Sequence, residues 1–191
     1  MAKQRLSLFI SGKGTNAINI IHYFKDSRQV EVVAVLSSKE NEKVKKLCLD
    51  EGIAFDSFTQ KTIEALELIQ FCENHKTNWI ILAGFLKKVP EELVHHFPNK
   101  IINLHPALLP KFGGKGMYGM NVHNAVIEAN EPQSGITIHF VNEEFDKGEI
   151  IAQFETKIDI KETAESLAEK IHDLEMNHFP EVIERIVLSS I

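Results

Sequence analysis

The stretch Lys100-Ile101-Ile102-Asn103-Leu104-His105-Pro106 joins an apolar run to an amide and an imidazole. The apolar run predicts a buried strand. Side chains two positions apart on a strand point to the same side, so Asn103 and His105 can face one bound molecule. Pro106 and Pro110 then end regular structure in the exit loop. An amide beside a titratable imidazole can hold an oxyanion and move a proton, as acyl transfer requires. A strand end with two polar residues satisfied by local backbone fits the pattern equally well.

Apolar runs alternate with amphipathic segments through the first hundred residues. The predicted strands cover residues 6–10, 30–36, 53–58, 79–82 and 100–104. The predicted helices cover residues 16–24, 41–51, 62–75 and 90–97. This alternation predicts an α/β fold: a doubly wound, mainly parallel sheet with helices on both faces. In such sheets ligands bind outside the carboxyl ends of the strands, so the loops at 11–16, 84–89 and 103–119 should converge.

The second part of the chain has a different pattern. A helix is predicted over residues 120–130, and strands over 135–142 and 149–157. The link between these two strands is too short for a parallel crossover, so they should form an antiparallel C-terminal pair. Residues 162–188 read as a long helical region that is interrupted at Pro180. The whole chain, residues 1–191, is the length of one domain.

The turn Gly12-Lys13-Gly14-Thr15-Asn16 joins the first strand to the first helix. Its glycines allow backbone amides to face an anion at a helix N-terminus. A dinucleotide site requires an acidic residue after the second strand, where this chain has Ser37 and Ser38. The Walker A motif also fails, because Ser7 stands where its first glycine belongs. The short loop therefore suits a single phosphate, or else a tight turn with Asn16 as helix cap.

Asp146 lies in the turn between the last two predicted strands. Acidic residues are common in turns for local reasons. If Asp146 approaches His105, however, its charge favours the protonated imidazole and fixes the orientation of the ring. The histidines form no metal-binding motif with each other or with cysteine, so we expect no metal.

Composition excludes several classes of function. The net charge of −6 and the lack of a long basic run argue against nucleic-acid binding. No apolar run approaches the roughly 18 residues that span a bilayer. Cys48 and Cys72 form no CxxC pair and are typical of reduced thiols. We therefore expect a cytoplasmic protein without nucleic-acid or membrane partners, either a monomer or a weak homodimer.

The octapeptide Asn103-Leu104-His105-Pro106-Ala107-Leu108-Leu109-Pro110 is similar to the active-site motif of the folate-dependent formyltransferases. Three further segments fit that family in order. They are Ile10-Ser11-Gly12-Lys13-Gly14-Thr15-Asn16, Leu82-Ala83-Gly84-Phe85-Leu86, and Gly135-Ile136-Thr137-Ile138-His139-Phe140-Val141 followed by Phe145-Asp146-Lys147-Gly148. The resemblance covers nearly the whole chain. It implies the formyltransferase fold, with a phosphate-binding, Rossmann-like half at 1–100 and a catalytic and folate-binding half at 101–191.

The resemblance also implies an activity: transfer of a formyl group from 10-formyltetrahydrofolate to the amine of 5-phosphoribosylglycinamide, in de novo purine biosynthesis. Folate would be a cosubstrate, and no metal is implied. The implied site residues fall into four groups. They are Asn103, His105 and Asp146 for catalysis, Gly14, Thr15 and Asn16 for the substrate phosphate, Glu175 for the amine or ribose, and Lys61, Leu86, Lys87, Lys88, Val89 and Asn103 for folate.

The chain departs from the family pattern at two places. Relatives often carry an arginine and long apolar residues where this chain has Lys87 and Lys88. The run Gly113-Gly114-Lys115-Gly116-Met117-Tyr118-Gly119 is longer and richer in glycine than the common form. A glycine-rich loop beside a site can act as a mobile lid.

Other functions remain compatible with parts of this sequence. A 10-formyltetrahydrofolate deformylase shares the site chemistry, but its relatives carry an extra N-terminal domain, for which we expect no room before the first strand. The transfer-RNA formyltransferases add a C-terminal RNA-binding domain, which we do not expect after the last helix. A non-catalytic sugar-phosphate binding module would keep the 12–16 loop without needing Asn103, His105 and Asp146 together.

Overall fold

The computed structural model describes residues 2–58 and 64–189. Its strands are β1 (Gln4–Ile10), β2 (Val30–Ser37), β3 (Ala54–Ser57), β4 (Trp79–Leu82), β5 (Ile101–His105), β6 (Gln133–Phe140) and β7 (Ile150–Lys157). Its helices are α1 (Thr15–Phe24), α2 (Glu42–Asp50), α3 (Ala65–Asn74), α4 (Glu91–His96), α5 (Met120–Glu128) and α6 (Ala164–Ser189). Residues 62 and 63 of the predicted third helix lie outside the described residues.

In the described part of the chain the strands form one sheet in the order β3-β2-β1-β4-β5-β6-β7. The pairs from β3 through β5 are parallel. β6 runs antiparallel to both β5 and β7. The predicted fold class, including the antiparallel C-terminal pair, is confirmed.

Alternation along the strands builds two apolar layers. Leu8 on β1 and Ile81 on β4 face the cluster that includes α1, α2 and α6. Phe9 and Ile80, one position away on the same strands, face the cluster that includes α3 and α4. Because both faces of these strands are buried, their sequences are continuously apolar. The sheet therefore has helices on both sides, and its carboxyl edge remains available for a ligand.

The prediction of an interruption at Pro180 is wrong, since α6 continues through this residue. Proline removes one main-chain donor from a helix and leaves the carbonyl four residues earlier without its partner. That carbonyl belongs to Met176, and the side-chain amide of Asn19 donates a 2.7 Å hydrogen bond to it. No helix in the described ranges is both long and apolar enough to cross a membrane.

Candidate active site

Loops from several strand ends meet at a cleft of about 450 Å³. The parallel strands β1, β4 and β5 are neighbours in the sheet, so their carboxyl ends lie at one edge. Gly12 and Asn16 line the cleft after β1, and Leu86 to Val89 line it after β4. The end of β5 and the loop that follows it form another wall of the cleft. A cleft of this size can hold most of a drug-sized molecule.

Asn103 and His105 both line this cleft, as the two-residue spacing on β5 predicts. The exit loop beyond them is held by Thr137 of β6, which pairs with His105 in the sheet. Thr137 Oγ1 donates to the Ala107 carbonyl at 2.7 Å and accepts from the Leu109 amide at 2.9 Å. The strand end and its exit loop therefore form one fixed wall.

Asp146 reaches the same cleft from the turn before β7. The backbone of Asp146 is left-handed, with φ 54°. Its Oδ2 accepts a 2.8 Å hydrogen bond from the Gly114 amide and lies 3.6 Å from His105 Nδ1. Its Oδ1 lies 3.4 Å from the donating Asn103 Nδ2. The structure thus brings Asn103, His105 and Asp146 together.

His139 joins this group, although the sequence pattern left its role open. It pairs with Asn103 across β5 and β6. Its Nδ1 donates to the Phe140 carbonyl at 2.7 Å, so its Nε2 is free to accept from Asn103 Nδ2 at 3.0 Å. This contact orients the Asn103 amide toward the cleft. The register of β5 against β6 would have identified the pair, but sequence alone does not give that register.

The ionisation of His105 differs from the sequence-based expectation. Burial lowers the pKa of His105, and this effect outweighs the raising effects of the Asp146 charge and the Phe112 carbonyl. The ring is therefore neutral at neutral pH, not protonated as expected. Its Nε2 donates to the Phe112 carbonyl at 2.8 Å, which leaves the unprotonated Nδ1 facing Asp146.

Asp146 keeps its negative charge in this cluster. Burial alone would raise the pKa of Asp146. The neighbouring imidazoles of His139 and His105 and the hydrogen bond from the Gly114 amide together bring that pKa below its ordinary value. The pair of His105 and Asp146 is therefore a base and a carboxylate that can share one incoming proton.

The start of α1 offers main-chain donors near the cleft. The first amide inside the helix to find a main-chain acceptor is that of Ile18, which donates to the Gly14 carbonyl. The amides of Thr15, Asn16 and Ala17 precede it and have no acceptor within the helix. Asn16 is the second helical residue, so Gly14 is the cap and the cap role considered for Asn16 does not hold.

Among the residues predicted to bind phosphate, Asn16 lines the cleft, whereas Gly14 and Thr15 lie beside it. Gly14 has a φ of 75°, and a Cβ atom there would lie 2.5 Å from Val44 Cγ2. Gly14 is therefore required for the shape of the turn. Any contact that this residue makes with a ligand must come from its backbone.

Glu175 of α6 also lines the cleft, opposite the start of α1. Its Oε2 accepts from Asn16 Nδ2 at 2.9 Å and from His172 Nδ1 at 3.4 Å. Burial raises the pKa of Glu175, against the lowering effects of these two partners. The buried Asn16 Oδ1 has no hydrogen-bond partner among the described residues. A carboxylate and an amide oxygen thus lie together beside the helix start, and Glu175, which lines the cleft, can accept hydrogen bonds from hydroxyl or amine groups there.

The segment after β4 lies where folate contacts were predicted. Leu86, Lys87, Lys88 and Val89 all line the cleft. Ser11 Oγ accepts from the Leu86 amide at 2.9 Å, which holds this segment against the loop after β1. Lys61, the remaining predicted folate contact, lies outside the described residues.

The glycine-rich segment covers the cleft between β5 and α5. Residues 114–119 line the cleft, and Gly114 and Gly116 have φ values of 94° and 91°. His123, one turn into α5, also lines it and is buried. Burial lowers the pKa of His123, and repulsion from His105 when that ring is protonated adds to this effect. Its position on an ordinary amphipathic helix gave no signal in the sequence.

The cleft therefore holds groups of the kind that acyl transfer uses: an amide donor, an imidazole–carboxylate pair and the open amides of a helix start. A family model for formyl transferase matches residues 4–183. The chain belongs to the formyl transferase family. Among the described residues, no cluster of His, Cys, Asp or Glu could hold a metal ion.

Individual members of the family are similar over nearly the whole chain. Phosphoribosylglycinamide formyltransferase, chloroplastic, from Arabidopsis thaliana is 38% identical over 96% of this chain, which spans 65% of that protein. Phosphoribosylglycinamide formyltransferase from Bacillus subtilis (strain 168) is 32% identical over 96% of this chain and 95% of its own length. The crystal structure of phosphoribosylglycinamide formyltransferase from Anaplasma phagocytophilum matches with a TM-score of 0.88 and 30% identity, over 98% of this chain and 89% of that one. The resemblance read from the four motifs is thus confirmed at the level of the family and its fold.

Proposed function

We propose that this protein transfers a formyl group from 10-formyltetrahydrofolate to the amine of 5-phosphoribosylglycinamide, a step of de novo purine biosynthesis. The observation that carries the proposal is the Asn103, His105 and Asp146 cluster, which faces the same cleft as the anion-binding start of α1. Relatives that match nearly the whole of this chain are named phosphoribosylglycinamide formyltransferase, and their names support the same substrates.

The acceptor would bind between α1 and α6. Its phosphate takes hydrogen bonds from the amides at the start of α1, where the helix dipole favours negative charge. Glu175 accepts hydrogen bonds from the ribose hydroxyls or the amine. With the phosphate held there, the rest of the acceptor molecule extends along the cleft, and its amine, the nucleophile, lies near Asn103 and His105.

The formyl donor would bind along the segment after β4. Main-chain groups of Leu86 to Val89 take the polar edge of the pterin ring, and the apolar walls take its face. Lys87 and Lys88 are near enough to the cleft to meet the acidic end of a folate. The cleft volume suits reactive portions of both substrates at once.

In the reaction, the amine nitrogen attacks the formyl carbon, and the carbonyl oxygen becomes an oxyanion. Asn103 Nδ2 has two hydrogens: one stays on His139 Nε2, and the other turns from Asp146 Oδ1, 3.4 Å away, to donate to this oxygen. This hydrogen bond stabilises charge that develops only in the transition state. His105, neutral beforehand, takes the amine proton at Nδ1, where Asp146 stabilises the resulting imidazolium. The positive ring then adds to the stabilisation of the oxyanion.

Collapse of the tetrahedral intermediate completes the transfer. The carbonyl re-forms, the bond from the formyl carbon to the folate nitrogen breaks, and the proton held by His105 passes to that nitrogen. Asp146 keeps its charge throughout, and His105 ends in its starting form. The products are tetrahydrofolate, which carries the proton taken from the amine, and the formylated acceptor.

The deciding experiment follows release of tetrahydrofolate from 10-formyltetrahydrofolate with and without phosphoribosylglycinamide. The proposal requires release that depends on the acceptor and one formylated acceptor for each folate released. Formate release without the acceptor would identify a deformylase instead. Acceptor binding with no chemistry would favour a sugar-phosphate binding module. His105→Ala serves as the inactive control.

A further inference from the structure

Pro180 lies five residues after Glu175 in the middle of α6, and it changes the hydrogen bonding of that helix. Proline has no N–H, so the Met176 carbonyl lacks the donor that an unbroken helix would supply. Asn19 Nδ2 of α1 donates a 2.7 Å hydrogen bond to this carbonyl. A side chain from another helix thus provides the missing donor, at the residue next to Glu175.

Asn19 belongs to a polar stripe along α1. Asn16, Asn19 and Tyr23 are three and four residues apart, so they share one face of the helix. Each donates to α6: Asn16 to Glu175 at 2.9 Å, Asn19 to the Met176 carbonyl, and Tyr23 to Glu184 at 2.8 Å. Asn16 and Asn19 therefore fix α6 at the level of Glu175, beside the start of α1, whereas Tyr23 contacts α6 nine residues further on.

We propose that Asn19 is a positioning residue for the acceptor substrate, acting through Glu175. By holding the Met176 carbonyl, it keeps the main chain beside Glu175 in place, so that the carboxylate stays within reach of Asn16 and of a ligand at the helix start. Without this donor, α6 bends at Pro180 or admits water to satisfy the carbonyl. Either change displaces Glu175 from the cleft. The inference rests on the proposed function, since it requires that Glu175 contacts the acceptor.

The first test compares Asn19→Ala with Tyr23→Phe. Both remove one hydrogen bond between α1 and α6, but the bond of Tyr23 lies more than two helical turns beyond Glu175. Asn19→Ala should raise the KM for phosphoribosylglycinamide by about tenfold, because small displacements of a contact group are costly. The KM for 10-formyltetrahydrofolate should remain that of the parent. Tyr23→Phe should leave both KM values unchanged.

The second test supplies the missing donor by another route. Pro180→Ala restores a main-chain N–H opposite the Met176 carbonyl, so Asn19 is no longer needed. In that background Asn19→Ala should change the acceptor KM by less than about twofold, which a double-mutant cycle detects as coupling. Each comparison is made within one background, so that the packing lost with the buried proline ring cancels.

Asn19→Leu keeps the folding question separate from the positioning question. It preserves the approximate size of the side chain, has no donor for the Met176 carbonyl and adds no charge near the acceptor phosphate. Its acceptor KM should rise at least as far as that of Asn19→Ala. Thermal unfolding of all variants shows which of them fold, and Asn19→Leu alone can carry the test if Pro180→Ala does not.

The outcomes separate the two proposals. A parent protein that uses phosphoribosylglycinamide while Asn19→Ala and Asn19→Leu behave like Tyr23→Phe overturns the positioning role alone. Equal losses from Asn19→Ala in the presence and absence of Pro180 also overturn it. A parent protein that neither binds nor formylates the acceptor overturns the proposed function, and the positioning role falls with it.

Discussion

The side-chain amide of Asn16 donates a 2.9 Å hydrogen bond to the Glu175 carboxylate and so joins the first helix to the last at the edge of the cleft. The two residues are 159 positions apart. Asn16 Oδ1 is buried and has no partner among the described residues, and burial raises the pKa of Glu175. Buried polar groups of this kind are stabilised when a ligand satisfies them.

Glu175→Gln should weaken binding of phosphoribosylglycinamide by about tenfold or more, the usual cost of losing a charge-assisted hydrogen bond. Glutamine keeps the size of the side chain, so the fold should be retained. Binding of the folate substrate should be unaffected. Calorimetry with each substrate separately makes the comparison, and Glu184→Gln on the same helix is the control. Equal weakening of both substrates would count against a contact dedicated to the acceptor.

Asp146→Asn should lower turnover strongly and lower the pKa of His105 further. The nearby carboxylate is one of the groups that raise this pKa against burial, and asparagine removes its charge. Asparagine also tolerates the left-handed backbone at this position, where φ is 54°. NMR titration of His105 and steady-state kinetics measure the two effects. Glu149→Gln, at an exposed position after the same turn, should change neither turnover nor the pKa of His105. An unmoved His105 with near-parent turnover would remove Asp146 from the mechanism.

Folding stability should fall as the pH drops below about 6.5, the ordinary histidine pKa. His105 and His123 are buried with lowered pKa values, so the unfolded chain binds more protons than the folded one in this range. The stabilisation is complete above the unfolded pKa and is lost as the pH falls toward the folded value. The raised pKa of Glu175 acts in the opposite sense, because its stabilisation is lost as the pH rises.

Urea unfolding across this pH range isolates the histidine contribution when variants are compared. His123→Gln should have a smaller pH dependence than the parent, and His22→Gln, a change at an exposed position on α1, is the control. Identical pH profiles for the parent and His123→Gln would mean that His123 titrates alike in the folded and unfolded chains. That result would contradict the lowered pKa.

The glycine-rich segment should exchange its amide hydrogens more slowly when both substrates are bound. Its glycines favour an open state of high entropy, and the Gly114 amide donates to Asp146 Oδ2 at 2.8 Å. Closure over ligand would therefore also hold the Asp146 carboxylate. Hydrogen exchange followed by mass spectrometry measures protection of residues 113–119, with the α3 region as an internal control. Unchanged exchange would leave the segment a fixed wall of the cleft and remove the lid hypothesis.

The sequence predicts the parallel part of the sheet because buried strands leave continuous apolar runs, as in Trp79–Leu82. It also brings Asn103 and His105 to one side through the spacing of two on a strand. The path of α6 through Pro180 was not predictable, since it depends on a donor from Asn19, far away in the chain. From the sequence alone, Pro180 indicates only that the main-chain N–H donor for the Met176 carbonyl is missing.

The protonation of His105 was likewise beyond the sequence. A neighbouring carboxylate raises a histidine pKa, and that much follows from the motifs. Burial acts in the opposite direction and here is the larger effect. Its size depends on the walls contributed by the exit loop and β6, which no local pattern describes. The same is true of His139, whose contact with Asn103 depends on the register of two antiparallel strands.

The catalytic cluster should lose activity as a unit. Asn103→Ala should lower turnover by about a hundredfold or more if its amide is an oxyanion donor. His139→Ala should lower turnover less, because it leaves Asn103 in place but removes the 3.0 Å contact that orients the amide. In the Asn103→Ala background the further change His139→Ala should then have almost no effect, since its target is already gone. His105→Ala with Asn103→Ala should likewise cost less than the product of the single losses. Steady-state turnover of the five variants, with the fold checked by circular dichroism, tests all of these relationships. A full additional loss from His139→Ala without Asn103 would mean that His139 acts by itself, and near-parent turnover in His105→Ala would rule out the mechanism.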